Sequence, residues 1–471
     1  MPLGNYGEFL LCGRGSSALD PQFGAIYFVQ MLHIHSISLG CPKNRVDTER
    51  ALGALAAPQN LRTVATPEEA DLVFINTCGF IAPAVEESVR VMLEAVRSIQ
   101  AMPENDRPVL AVAGCLVGRY SPKALAPDLP EVDLLLDNKD MDSWQPRLLD
   151  LLRKRGKLKS GTATPLPCRL LSTGPSYAWL KISDGCRHNC AFCTIPGIRG
   201  SLRSTPADVL VAESAFLLEQ GVKELIVIAQ DSTAWGADMG LKHGLASLLE
   251  QLLPLQGLER LRLMYLYPAG LSKNLLTFLK EAGDPFVPYF DVPLQHASAS
   301  ILRSMGRPFA GRPQESVERI RSLFPNAALR TSLITGFPGE TDDDFDQLRQ
   351  FVIDSRFMHL GVFAYEAEDG TKAATMKKQV PVEERHRRRD EIMAIQAEIS
   401  EELLENCVGG RERILVDAEQ GEWPGLHIGR TWFQAPDIDG VTYVSGPGVQ
   451  PGAMVEADIV ESSVYDLTAL A

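Results

Sequence analysis

The 471-residue sequence contains no apolar run of the roughly 18 residues that a membrane-spanning helix needs. It has no surplus of positive charge either. Lys and Arg number 46 against 60 Asp and Glu, a formal net charge of −14. That balance favours solubility and disfavours broad, sequence-independent binding to phosphate backbones, although a local basic groove stays compatible with it. A secretory signal is missing too: the first 30 residues hold one Arg and no Lys, and Phe9-Leu10-Leu11 is too short for a signal-peptide core. Residues 1–32 are therefore expected to be a disordered leader, with Met31 a candidate initiator. Nine cysteines without such a signal suggest reduced thiols in the cytoplasm, available to metal. A hydrophobic content of 45% and a charged content of 23% are those of a globular protein. A chain this long exceeds one ordinary core and predicts two to four domains.

From His33 to about Asp150 the pattern alternates strand and helix. His33–Leu39, Leu72–Asn76, Val109–Ala113 and Val132–Leu136 read as strands. Between the second and third, Val85, Val89, Met92, Leu93 and Val96 recur at helical spacing, with Pro83 near the helix start. This predicts an N-terminal α/β domain over 33–150 with a parallel sheet. The basic, polar stretch from Arg153 to Ser172 reads as a solvated linker, placed at 151–174. Six further strands separated by helices, from Ala178–Ile182 to Leu360–Phe363, predict a partial TIM-type (βα)6 barrel over 175–402. In such folds chemistry sits at the C-terminal strand ends. The helix around Ile392, Ile395, Ile399 and Leu403 leads out of it, and Arg385 with Arg387–Arg389 reads as a solvated face. Residues 403–471 turn rich in Gly and Pro with short alternating strands, a small antiparallel barrel or sandwich.

Two sets of three cysteines carry the chemistry. Cys186, Cys190 and Cys193 lie just after the first barrel strand in a Cys-x3-Cys-x2-Cys spacing. Three thiolates on one tight loop can each bind one iron of a cubane and leave the fourth iron open to a small chelating molecule. A zinc site would need His188 as a fourth ligand, and one short loop cannot easily wrap a tetrahedron. Cys41, Cys78 and Cys115 are spaced 37 and 37 residues apart, each directly after a predicted strand. That period brings all three to one edge of a parallel sheet, where open α/β sheets bind ligands. Gly40, Gly79 and Gly114 flank the thiols and allow close backbone approach. Three buried core cysteines are the bland alternative, but placement after each strand argues against it.

These features resemble the radical S-adenosylmethionine methylthiotransferase family over about residues 33–471. The matching strings are Ser-Leu-Gly-Cys-Pro-Lys-Asn (38–44), Asn-Thr-Cys-Gly-Phe-Ile (76–81), Gly-Cys-Leu (114–116), Gly-Cys-Arg-His-Asn-Cys-Ala-Phe-Cys-Thr-Ile-Pro (185–196), Pro-Leu-Gln-His (293–296) and Gly-Phe-Pro-Gly-Glu-Thr (336–341). The resemblance implies two 4Fe-4S clusters, S-adenosylmethionine as both methyl donor and radical source, and a low-potential electron donor such as flavodoxin. It also implies that the tail is a TRAM domain, a relative of the oligonucleotide-binding barrel. Phe192 matches the aromatic position that packs near adenine in the superfamily. Gln230 and Asp231 become candidates for the methionine moiety of the cofactor, with Gln295, His296 and Gly336 to Glu340 as further candidates that a capping or loop role would equally explain. Thr205, Trp235 and Glu366 depart from the family's usual residues.

The first string and Ala-Pro-Asp-Ile-Asp-Gly (435–440) resemble the branch that modifies an aspartate of small-subunit ribosomal protein S-twelve. A sister branch methylthiolates an isopentenylated adenosine of tRNA. Residues 411–471 hold three Arg, no Lys and ten Asp or Glu, a balance of −7. A barrel that grips tRNA should be basic, whereas an acidic one suits a basic ribosomal protein. Direct tRNA binding is thus disfavoured. The expected reaction adds a methylthio group at the aspartate β-carbon, an unactivated C–H position that calls for a radical cofactor. A non-catalytic iron–sulfur protein bound to the ribosome or RNA is the alternative of a different class.

Overall fold

The computed structural model describes residues 31–56, 60–158, 169–307 and 312–471. The expected leader up to residue 30 and the middle of the expected linker lie outside the described residues. Two compact units divide the chain: Met1–Thr173 with Gly197–Gly200, and Gly174–Pro196 with Ser201–Ala471.

The first unit is built on β1 (Met31–Ser38), β2 (Asn60–Thr63), β3 (Leu72–Thr77), β4 (Val109–Gly114) and β5 (Leu134–Asp137), all parallel in the order β2-β1-β3-β4-β5. Strands β3 and β4 are buried along their whole length, as a sheet covered on both faces requires. Phe74 and Ala111 pack under Leu52 and Trp144 of the helices Pro42–Ala56 and Trp144–Lys154. Val73 and Val112 on the opposite face meet Met92 and Val96 of the helix Ala82–Gln100. Met31 and Leu32, expected in the leader, open β1 instead. The four-residue β2 escaped the pattern because Asn60-Leu-Arg-Thr carries a single apolar residue, and an edge strand is held by backbone pairing.

Three expectations need correction here. The helix Ala82–Gln100 turns Ser88, Met92, Ala95, Val96 and Ile99 inward and leaves Val89 and Leu93 exposed. Its rotation follows Ser88, whose hydroxyl accepts from the Cys78 backbone N–H at 3.0 Å and donates to the Cys78 carbonyl at 2.8 Å. The expected linker is not solvated throughout, since Arg169 is buried against Glu49 at 2.6 Å and the Ser172 N–H donates to the same carboxylate at 2.9 Å. Nor is the arginine run one solvated face. Arg385 and Arg388 are buried: Arg388 donates to Glu340 at 2.8 Å, and Arg385 donates to the carbonyls of Val380 and Tyr365 at 2.7 and 2.8 Å. Arg387 stays exposed on Glu384 and Glu391.

In the second unit β6 (Tyr177–Lys181) is followed by a short antiparallel ribbon of β7 (Ser183–Asp184) and β8 (Arg203–Ser204). Then come β9 (Glu224–Ile228), β10 (Arg260–Leu263), β11 (Phe286–Asp291), β12 (Ala328–Thr335) and β13 (His359–Ala364). The sheet is parallel in the order β13-β12-β11-β10-β9-β6, with β6 and β13 at opposite edges, so the barrel is partial. A core of Val227, Leu263, Phe290, Leu333 and Ile392 lies between strands and surrounding helices.

The same unit ends in a closed five-stranded barrel of β14 (Arg411–Glu419), β15 (His427–Arg430), β16 (Thr442–Ser445), β17 (Met454–Ser462) and β18 (Leu467–Leu470). Its pairs are antiparallel except β16 with β18, which run parallel. The barrel seats against the N-terminal ends of the six parallel strands. Arg430 donates to the buried Glu224 at 2.7 Å, Arg262 donates to the same carboxylate at 2.7 Å, and Tyr289 donates to Asp439 at 2.7 Å. The C-terminal strand ends, where chemistry is expected, are thereby left to the cysteine loop.

Candidate functional site

In the first unit, adjacent strands β1, β3 and β4 each run into one cysteine at the C-terminal edge: Cys41 just beyond Ser38, Cys78 directly after Thr77, Cys115 directly after Gly114. The expected placement of the three at one edge of the parallel sheet is what the strand order produces. Packing there leaves no room for side chains on the flanking glycines. A Cβ on Gly40 (φ +86°) would lie 2.9 Å from the Cys78 sulfur, and one on Gly114 (φ +104°) would lie 2.2 Å from Asn76 Oδ1. Asn44 ties the loops together, its amide N–H groups reaching the carbonyls of Leu39 and Thr77 at 2.9 and 3.0 Å. Its Oδ1 lies 3.4 Å from the Cys115 sulfur and accepts from Arg199, which also forks onto Asp47 with both nitrogens at 3.1 Å. Burial pushes the Cys78 thiol up to about 12 and raises that of Cys115, against the pull of Arg199.

In the second unit, Cys186, Cys190 and Cys193 occupy the loop that follows β7, closed by a turn in which Cys193 N–H donates to the Cys190 carbonyl at 3.1 Å. Burial again raises the thiols, to about 12 at Cys193 and upward at Cys186. Ala191 pins the loop from both sides: its N–H donates to Met305 O at 3.0 Å and its carbonyl accepts from Ala373 N–H at 2.8 Å. His188 lies 2.7 Å from Asp231 through Nε2 and stacks on Tyr267, ring centroids 3.8 Å apart. Arg307 reaches the Cys190 sulfur at 3.5 Å.

The other predicted residues lie at the C-terminal strand ends of this unit. Phe192 packs against the cluster of Ile301, Met305, Phe337 and Tyr365. Gln230 and Asp231 follow β9; Gln230 keeps a buried Oε1 that accepts no hydrogen bond, while Asp231 also accepts from the Thr233 N–H at 3.0 Å and hydroxyl at 2.6 Å. Gln295 sits at φ +72° and bridges to β12 through its backbone, accepting from Ile334 N–H at 2.8 Å. Glu340 turns into its own loop, accepting from Gly336 N–H at 2.8 Å and from Phe337 N–H at 3.2 Å, with His296 Nε2 at 3.3 Å. The space beside Gly336 is filled by the Arg385 side chain.

Among the described residues no group of three His, Cys, Asp or Glu side chains is gathered as around one metal ion. Sequence reasoning passed over Asn44, Ser88 and Arg199 at the first site and Tyr267 and Arg307 at the second. Ser88 lies ten residues from Cys78, whereas Arg199 and Arg307 meet Asp47 and Cys190 from 152 and 117 residues away.

Comparison with known proteins agrees with this layout. A family model described as Radical SAM superfamily matches residues 180–352, one described as Uncharacterized protein family UPF0004 matches 33–137, and a TRAM domain model matches 408–471. A protein of Oleidesulfovibrio alaskensis, named ribosomal protein uS12 methylthiotransferase RimO, is 64% identical over 93% of this chain and all of its own length. Proteins of the same name from Lawsonia intracellularis and Aquifex aeolicus are 54% and 39% identical, over 93% of this chain and 98% and 96% of theirs. The fold is also similar to that of the radical S-adenosylmethionine methyltransferase TsrM from Kitasatospora setae, solved with cobalamin and a 4Fe-4S cluster. The two share a TM-score of 0.51 and 14% identity over 85% of this chain and 81% of that one.

Proposed function

We propose that the chain, which belongs to the ribosomal protein uS12 methylthiotransferase RimO family, places a methylthio group on the β-carbon of an aspartate in uS12. The relatives that carry this name match both cysteine-bearing regions and the terminal barrel at once, and the acidic tail suits a basic ribosomal protein better than tRNA. No helix among the described residues is long and apolar enough to cross a membrane.

Cys186, Cys190 and Cys193 would hold a cluster that, with S-adenosylmethionine, would supply a one-electron route to abstracting hydrogen from an unactivated carbon. The chain's own residues bind and orient. Gln230 presents a buried acceptor at the end of β9, fit for an N–H of the cofactor's methionine ammonium. Asp231 holds His188 and, through it, the cysteine loop. Phe192 offers an apolar face for adenine. The loop Gly336 to Glu340 is kept in shape by the Glu340 carboxylate, which accepts from the Gly336 and Phe337 N–H groups. Cys41, Cys78 and Cys115 would hold a second cluster that would supply the sulfur, with Asn44 and Arg199 fixing the loops that carry them. A low-potential donor of the flavodoxin kind supplies the electron. The domains follow the same division: 33–150 for the sulfur-bearing cluster, 175–402 for the radical core, 403–471 for TRAM.

The deciding experiment is mass spectrometry of uS12 from cells with and without the gene. Loss of an increment of about 46 Da, one CH3S replacing one H, is expected on deletion. An unchanged uS12 together with loss of a tRNA methylthio mark would overturn the assignment. Formation of 5′-deoxyadenosine by the reduced protein would dismiss a non-catalytic iron–sulfur protein.

A further inference from the structure

Arg307 is 6% exposed and stands in the wall of the Cys186, Cys190 and Cys193 loop. Its Nη1 donates to the Cys190 sulfur at 3.5 Å and its Nη2 to the Pro293 carbonyl at 2.7 Å. The guanidinium carbon sits 4.5 Å from the centroid of the Tyr267 ring. His188, from the middle of the cysteine loop, stacks on the same ring at 3.8 Å and 15°. Two groups so close to one ring centroid must occupy its opposite faces. Tyr267 is thus clamped between a loop residue and the arginine, and the arginine fork is fixed between a sulfur and a carbonyl. The preceding Gly306 (φ +74°) supports this: a Cβ there would lie 3.3 Å from Asn189 O, so the strip carrying Arg307 runs hard against the loop.

Asp231 and Arg307 both lie beside the loop. Asp231 is already engaged by His188 and Thr233. Arg307 brings a cation into contact with the Cys190 sulfur, and a guanidinium keeps its charge at every working pH.

We propose that Arg307 is a positioning residue that fixes the cysteine loop and raises the reduction potential of the cluster it carries. The inference rests on the reading that these three cysteines hold a cluster. One electron from a low-potential donor adds one negative charge to the cluster, and no bond is made or broken in that step. A desolvated cation at the sulfur stabilises the reduced state more than the oxidised one. Arg307 thereby brings a reluctant cluster within reach of its donor.

The test is a dithionite-poised redox titration of the full-length, anaerobically reconstituted protein. It is read on the electron paramagnetic resonance signal that S-adenosylmethionine perturbs, which selects this cluster. Arg307→Met should cut the ratio of reduced to oxidised cluster at fixed potential tenfold or more, about 59 mV for each tenfold in a one-electron couple. Arg307→Lys, which keeps the charge but loses the fork, should stay within about threefold of the parent on the same scale. An Arg307→Met protein with full iron and an unmoved midpoint overturns the proposal. So does Arg307→Lys falling as far as Arg307→Met, which would make the role one of shape alone. If Arg307→Met fails to take up iron, the loop-fixing half is supported, and the Arg307→Lys midpoint decides the electrostatic half. A parent protein whose iron signal ignores S-adenosylmethionine would instead sink the underlying cluster reading.

Discussion

Replacing Gly40 by Ala should remove one cluster and spare the other. Gly40 has φ +86°, and its added Cβ would lie 2.8 Å from Cys78 Cβ and 2.9 Å from the Cys78 sulfur. Optimal carbon contacts fall at about 3.5–4.0 Å, so the thiol must retreat by roughly 1 Å or the backbone must give. The left-handed backbone alone costs about 1–2 kcal/mol for a residue with a Cβ. Overpacking a tight site adds about 1–3 kcal/mol. Gly221 separates these two contributions, because it sits at φ +96° with nothing within 4 Å of its would-be Cβ. Gly221→Ala should carry the backbone cost alone and load iron like the parent. Gly40→Ala should be less stable than Gly221→Ala by about 1–3 kcal/mol and hold about half the parent's iron and sulfide after anaerobic reconstitution. It should still form 5′-deoxyadenosine, because the Cys186 loop is untouched, while uS12 stays unmodified. The measurements are iron and sulfide per chain, denaturant unfolding of the metal-free proteins, and mass spectrometry of uS12. Full loading of Gly40→Ala at the stability of Gly221→Ala would refute the argument that the glycine exists to let Cys78 approach.

Cys186→Ala should abolish 5′-deoxyadenosine, and Cys115→Ala should retain it yet leave uS12 unmodified; chromatography of the reduced reaction mixture distinguishes the two. Ser88→Ala removes both bonds to the Cys78 backbone and leaves that N–H and carbonyl buried, which should cost about 1–3 kcal/mol in denaturant unfolding. Glu224→Gln deletes the anion shared by Arg262 and Arg430 and should destabilise the protein by about 3–5 kcal/mol, read by thermal or urea unfolding. Burial pushes the Glu224 carboxyl up, but the charges of Arg262, Arg430 and Arg260 pull it down further, to about 2 from 4.5. Because the folded value is the lower one, this contribution of roughly 3 kcal/mol is whole above about pH 4.5 and fades as the pH falls toward 2. An acid limb of the stability curve unchanged in Glu224→Gln would contradict it.

The six cysteines, their flanking glycines and the strand-helix alternation could be read from the chain because each is a one-dimensional signal. A 37-residue period after a strand says where a thiol goes once neighbouring strands run parallel, and the order β1-β3-β4 did the rest. The terminal barrel announced itself by turn residues and short alternating strands. What the chain could not disclose is which distant charge meets which site. Arg307 and Cys190 are 117 residues apart, Arg199 and Asp47 are 152 apart, and nothing local marks either arginine as different from those on the surface. The arginines after Pro381 make the point in reverse. Arg387 remains in solvent, while its neighbour Arg388 is buried on Glu340, 48 residues upstream. One step along a helix turns a side chain by 100°, and only the packing around that helix decides which face meets a carboxylate. Sequence determined the cysteines and their spacing. Tertiary structure decided the second ring of residues that holds them, because a long-range ion pair is set by how the elements pack and leaves no trace in local order.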